Sequence, residues 1–213
     1  MPESLPQLPP ERLDHIVVTT DDLDAGLALI EESTGVRLEP GGVHPDFGTR
    51  NYLATFGPTA YLELIGVDEE NTEFSGTRPF RIDTATTTST ATWAITCEDL
   101  EATVAAARDA GLEPGDPEPK SRRRPDGSLL EWRLTRNLPE PTGVVPFLLD
   151  WQGATTPAQT TEATLELVAF HAWHLEPQRI RPVLQAYGTD LIVEPGEPGL
   201  RVTVEGPAGR ITL

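Results

Sequence analysis

At 213 residues, with 34 acidic against 16 basic side chains and a formal charge of −18, the chain is long enough to bury a sizeable core. It is also too acidic to attract phosphate backbones or anionic lipid, which argues against nucleic-acid and membrane partners, and no apolar run approaches the ~20 residues needed to cross a bilayer. One cysteine, Cys97, leaves no internal disulfide and no cysteine-based metal cage.

The acids are spread along a chain with strong apolar periodicity, so disorder is not expected. The opening MPESLPQLPPER lacks the basic then apolar pattern of a secretory signal, and the expectation is a soluble, cytoplasmic protein with a proline-rich lead. Lys120 is the only lysine, and together with the charge this suggests adaptation to high salt, where self-repulsion is screened over a few Å. The melting temperature is then expected to rise by roughly 5 °C or more between dilute buffer and ~2 M KCl. Sodium sulfate strengthens apolar burial in any protein, so a rise in sulfate beside a flat response to KCl would discard the salt reading.

The first element is Leu13 to Thr19, rich in the β-branched residues a half-buried strand prefers. Thr20-Asp21-Asp22 follows as a helix start, Leu23, Leu27 and Ile30 form an i, i+4, i+7 stripe, and Gly35 stops the helix. Val36 to Leu38 leads to a Gly41-Gly42 turn, and Tyr52 to Phe56 and AYLELIG read as two further strands. The order is strand, helix, strand, strand, strand.

That order recurs. Asp21, Asp22 and Leu23 return as Glu98, Asp99 and Leu100, and the helical stripe returns as Leu100, Val104 and Ala107 at the same spacing of 77 residues. RPDGSLLEWRL echoes HPDFGTRNYLATF, and PFLLDW echoes AYLEL. A weaker third copy follows the linker around Gln152 to Thr161, with a strand from Leu165, a helix from Pro177 to Gly188, and short strands at Leu191–Val193, Leu200–Glu205 and Arg210–Leu213. Between the first two copies, Val67 to Thr92 has no periodicity; Arg78-Pro79-Phe80-Arg81 could cover a site, but a crossover with no further role is the simpler expectation.

Tandem units opened by LDHIVV with a DDLDAG helix start, followed by GGVHPDFGTRN, YLELI, ATWAITCEDL, SRRRPDGSLLEWRL and PFLLDW, resemble the glyoxalase-like branch of the vicinal oxygen chelate superfamily over about the first 150 residues. The resemblance implies an α+β fold: tandem βαβββ modules, 11–67 and 91–151, build a curved, cup-like mixed sheet with helices outside. Residues 1–151 then form a glyoxalase-like domain, with 152–213 as a third βαβββ-like unit packed on it. Edge-to-edge pairing of modules makes a homodimer an expectation as well.

The superfamily's metal ligands lie on the first and last strand of each unit, which maps to His15 and Glu63 in the first copy. Alternation puts Leu13, His15 and Val17 on one face, opposite Asp14, Ile16 and Val18. In the second copy Thr92 stands where His15 stood, Asp150 is the expected carboxylate, and Glu131 is its rival on an earlier strand. His15, Glu63 and Asp150 would suit Mn²⁺, Fe²⁺, Mg²⁺ or Zn²⁺ polarising vicinal oxygens of a substrate. His44, Asn51, Arg124 and Trp132 are expected to line the cup and contact a small-molecule ligand. The run Arg122-Arg123-Arg124 reads either as an anion clamp or as a surface balance to nearby acids. His171, His174 and Cys97 are expected to be structural.

The implied function is a metal-assisted lyase, isomerase or dioxygenase acting on a small oxygenated metabolite. The alternative, suggested by Thr92, is a module that binds such a molecule without metal or turnover.

Overall fold

The computed structural model describes residues 9–124, 126–135 and 142–213. Its first strand, β1 (Leu13–Thr19), enters α1 (Leu23–Thr34) through Asp22, whose side chain accepts the Ala25 N–H at 3.0 Å. Gly35 closes the helix at φ 75° and returns its N–H to Glu31. The second helix, α2 (Leu100–Asp109), is capped the same way, by Asp99 on Ala102. Each cap satisfies an otherwise orphan donor and is worth about 1 kcal/mol.

The remaining strands of the first half are β2 (Glu39–His44), β3 (Thr49–Thr55) and β4 (Tyr61–Val67). Those of the second half are β5 (Ser89–Thr96), β6 (Pro117–Arg123), β7 (Leu129–Thr135) and β8 (Phe147–Asp150). They run in the order β1-β4-β3-β2-β6-β7-β8-β5 and close on themselves, so the fold is mixed α+β around a barrel where an open cup was expected. One seam is the antiparallel pair β1 and β5; the other is the single pairing of Val43 with Arg123 between β2 and β6. An eight-stranded barrel has an interior just wide enough for side chains or one small ligand.

After the short helix α3 (Pro157–Thr160), a separate sheet is built from β9 (Glu166–His174), β10 (Val193–Pro195), β11 (Gly199–Gly206) and β12 (Gly209–Thr212), with α4 (Pro177–Ala186) between its first two strands. The chain order is the expected one, but β10 forms nearer Pro195 than predicted, and the sheet order β10-β9-β11-β12 puts the first strand inside the sheet. In the barrel the first strand of each half pairs in parallel with its last, β1 with β4 and β5 with β8; in this sheet it does not.

Two apolar clusters explain why β1 is buried along its whole length. Ile16, Val18, Leu62, Leu64, Trp93 and Ile95 face outward, where they meet Ile30 of α1, Leu100 and Val104 of α2, and Phe170, Ile180 and Val202 beside the second sheet. Val17, Leu53, Tyr61, Ile65, Leu130, Trp132, Phe147 and Leu149 face into the barrel. The second sheet is tied on by Thr55, which bonds the backbone on both sides of Thr164, and by Thr90, whose hydroxyl donates to the Leu213 carbonyl.

Two local readings are corrected by packing. Gly41 and Gly42 make no turn; they lie within β2 at a register shift, with Gly42 at φ 153°. A Cβ at Gly41 would fall 2.4 Å from Asn51 Oδ1, and one at Gly42 2.4 Å from the Arg123 carbonyl oxygen and 2.7 Å from Arg122 Nη1, so the glycines make room for the Asn51 amide and for the close approach of β6. The strand expected at Val36–Leu38 forms later, as β2. The segment after β4 is also more than a crossover: a turn at Pro79–Thr84 packs Ile82 into the barrel mouth, and Arg78 fastens it to the Gly48 carbonyl and to Asp83.

Candidate functional site

Inside the barrel is a cavity of about 470 Å³. Tyr61, Trp132, Phe147 and Trp151 form much of its wall, Phe74 and Phe80 close it from the segment after β4, and Phe80 stacks on Phe147 at 5.6 Å. His15, His44, Asn51, Glu63 and Arg122 are the buried imidazole, amide and charged groups on this wall; Asp46, Arg78 and Lys120 lie on it where it is less buried. A mostly apolar hollow with a few convergent polar groups is the general form of a small-molecule site.

His15 is central to the polar cluster. Its Nδ1 lies 2.7 Å from Asp14 Oδ1, and Asp14 Oδ2 accepts the indole N–H of Trp151 at 2.6 Å. Strand alternation had put Asp14 on the far face. The structure has a bulge instead: pairing with β5 slips between Leu13 and His15, so Leu13 joins the outer cluster with Ile16 while Asp14 reaches His15 and Trp151. The sequence carried no signal for the slip.

On the other side of the ring, His15 Nε2 stands 3.5 Å from Glu63 Oε2. The Asn51 amide N–H₂ donates to Glu63 Oε1, which fixes the carboxylate. Tyr61 stacks on the imidazole at 4.8 Å; its hydroxyl has a raised pKa through burial, with Asp14 and Glu63 adding to the effect. His44 Nδ1 is 3.2 Å from Thr49 Oγ1, and burial pushes its pKa down to about 4.

The expected contacts divide. His44, Asn51 and Trp132 line the cavity; Arg124 does not, because its guanidinium donates to the Thr155 carbonyl at the surface. Arg122 of the same run turns inward in its place. His15 and Glu63 meet in the cavity, whereas Asp150 lies on the outer face of β8, between the cavity-lining Leu149 and Trp151, and accepts the Gln152 N–H at 2.8 Å. The register gives the reason. Val17 pairs with Glu63 in the first half; the 77-residue spacing carries Val17 to Ala94, and Ala94 pairs with Phe147. Phe147, not Asp150, therefore stands where Glu63 stands. Glu131 is exposed, on β7 opposite Ser121.

Thr92 and Phe147 thus take the positions related to His15 and Glu63, and neither suits a metal-binding role. Among the described residues no group of His, Cys, Asp and Glu completes a metal-holding set. A guanidinium, Arg122, faces the same cavity. These residues do not fit the superfamily's metal.

Residues 13–188 match the family model described as Glyoxalase-like domain, and the chain belongs to that family, within the vicinal oxygen chelate superfamily. No curated protein matches the sequence. Among solved structures, a hypothetical protein from Staphylococcus aureus shares the fold at 17% identity and a TM-score of 0.63, over 94% of this chain and 83% of that one. Methylmalonyl-CoA epimerase from Streptomyces coelicolor, in complex with 2-nitronate-propionyl-CoA, is 21% identical over 68% of this chain and 98% of its own, with a TM-score of 0.43. The Mycobacterium tuberculosis epimerase is 19% identical over 70% and 91%, with a TM-score of 0.38. The epimerases superpose too loosely for their chemistry to be carried over.

Proposed function

We propose that the protein binds a small oxygenated organic molecule in the barrel and moves a proton on it, as an isomerase or lyase. The observation that supports this is the buried line Asp14, His15, Glu63 along the cavity wall. When Asp14 accepts a hydrogen bond from Nδ1–H, the imidazole is held in one tautomer and Nε2 is left free to take a proton and hand it back. At 3.5 Å the Nε2 to Oε2 separation is too long for a strong hydrogen bond, so both atoms are available to a substrate. Either one can withdraw a proton from a carbon beside a carbonyl and, as the conjugate acid so formed, return it to a neighbouring atom of the substrate, and Asn51 keeps Glu63 pointed at the reacting atoms. Asp14 acts through His15 and is a positioning residue. The chain's own residues carry this reading with no metal step.

The test is solvent deuterium incorporation, followed by NMR, into a panel of hydroxy ketones, hydroxy aldehydes and hydroxy and oxo acids. The wild-type protein is expected to exchange at least one of them. Glu63→Gln and His15→Ala are expected to slow that exchange by about 10² or more while leaving the melting temperature within a few degrees. If panel members bind, as seen by thermal shift, yet none exchanges, the site is a binding module that returns its ligand unchanged and the proposal fails.

A further inference from the structure

We propose that the cavity is a receptor for a carboxylate, held by Arg122, whose neighbouring hydroxyl or amine donates to Asn51 Oδ1. This names a substrate class for the proton-transfer site above and rests on that reading for its catalytic meaning, though not for binding.

Arg122 is 6% exposed, and its Nη1 has no hydrogen-bond partner. Arg50, Arg78, Arg108, Arg133, Arg179 and Arg210 each have a carboxylate within ion-pair distance; among the described residues Arg122 has none. A buried cation without a counter-ion is strongly disfavoured unless something else supplies the negative charge. Desolvation accordingly lowers the Arg122 pKa, with Tyr61 and Glu63 opposing the shift and Arg124 adding to it. Asn51 Oδ1 is likewise buried and unpaired, because the amide N–H₂ is committed to Glu63. Gly41 leaves room for the Asn51 amide, and Gly42 for the β6 backbone at Arg123 with the Arg122 guanidinium beside it.

The lining selects the kind of anion. Lys120 and Arg78, the other Lys and Arg side chains on the wall, are already paired with Glu118 and Asp83, each at 2.7 Å, so one guanidinium is free for a ligand. A dianionic phosphate would face the Glu63 charge with that single cation, whereas a carboxylate matches the guanidinium fork one to one. Trp132, Trp151 and Phe147 then accommodate an apolar body.

Trp132 and Trp151 line the cavity, so binding can be read by their fluorescence. Mandelate, phenyllactate and hydroxyhexanoate would each be titrated beside the corresponding amide and the analogue lacking the hydroxyl, with phenyl phosphate as a further arm. At least one hydroxy acid is expected to bind tenfold or more tightly than its amide, its deoxy analogue and phenyl phosphate. Arg122→Gln is expected to erase the preference for acid over amide, whereas Glu63→Gln, which removes a like charge, should bind the acid at least as tightly as wild type. That last result separates this inference from the proton-transfer proposal, because Glu63→Gln disables exchange but not binding. In ligand-free protein Arg122→Met should raise the melting temperature by roughly 3 °C or more, since an unpaired buried charge is removed. Amides that bind as well as their acids, or phenyl phosphate that binds best, would overturn the carboxylate assignment, and deoxy analogues equal to the hydroxy acids would overturn the role of Asn51. A fall in melting temperature for Arg122→Met would show the guanidinium to be paired in the folded protein and would overturn the inference as a whole.

Discussion

Trp93→Ala should be among the most destabilising single substitutions in this protein. Trp93 is fully buried on the outer face of β5, its indole N–H donates to the Val144 carbonyl at 2.8 Å, and its ring meets Phe170 of the second sheet edge to face at 5.5 Å. Truncation removes a large apolar body from the junction of barrel and sheet, which costs about 3–5 kcal/mol, and it leaves a buried carbonyl unpaired for about 1 kcal/mol more. For a chain of this size that corresponds to a fall in melting temperature of roughly 10 °C or more. Trp93→Phe keeps most of the packing and should lose roughly half as much. Because Trp93 touches both sheets through one continuous apolar cluster, the variant should still melt in a single transition. A shift under about 3 °C would refute this account of the junction, and two separate transitions would show that the sheets fold as independent units.

Acid should destabilise the fold through His44. Burial is the main cause of its lowered pKa; Arg122 lowers it further, while Glu63, the Thr49 backbone and Asp68 oppose. The folded protein therefore holds His44 neutral down to about pH 4, while the unfolded chain takes up a proton near the ordinary value of 6.5. Between those values the unfolded state binds more protons, so stability is intact above pH 6.5 and is lost progressively as pH falls toward 4. The fall from 6.5 to about 4 corresponds to roughly 3 kcal/mol, or about 6–12 °C in melting temperature. Relief of the net negative charge acts in the opposite direction over the same range, so the informative quantity is the difference between wild type and His44→Gln. The variant should lose markedly less stability than wild type from pH 7 to pH 4, whereas parallel pH curves would mean that His44 takes up its proton alike in the folded and unfolded states.

The caps on α1 and α2, the 77-residue spacing and the alternation on β4 were all legible without coordinates. Each rests on contacts within a few residues, or on a repeat that is itself written in the chain. His15, Glu63, Asn51, His44 and Trp132 were singled out through the family resemblance, and the structure brings all five to one cavity. Asp14 escaped because a bulge changes the face of a residue without changing its identity. Asp150 does not take the place of Glu63 because the pairing of β5 with β8 is set by the barrel, and the likeness of PFLLDW to AYLEL does not fix that register.

What the sequence by itself determined was the set of elements, the strongly acidic charge balance and the family, because helix caps, turn glycines, strand periodicity and motif spacing are local properties of a chain. Only the tertiary structure decided that the sheet closes into a barrel, that β9 lies inside its own sheet, and that of three consecutive arginines Arg122 alone lines the cavity. Those outcomes depend on register and closure between distant strands, where a slip of one residue turns every following side chain to the opposite face.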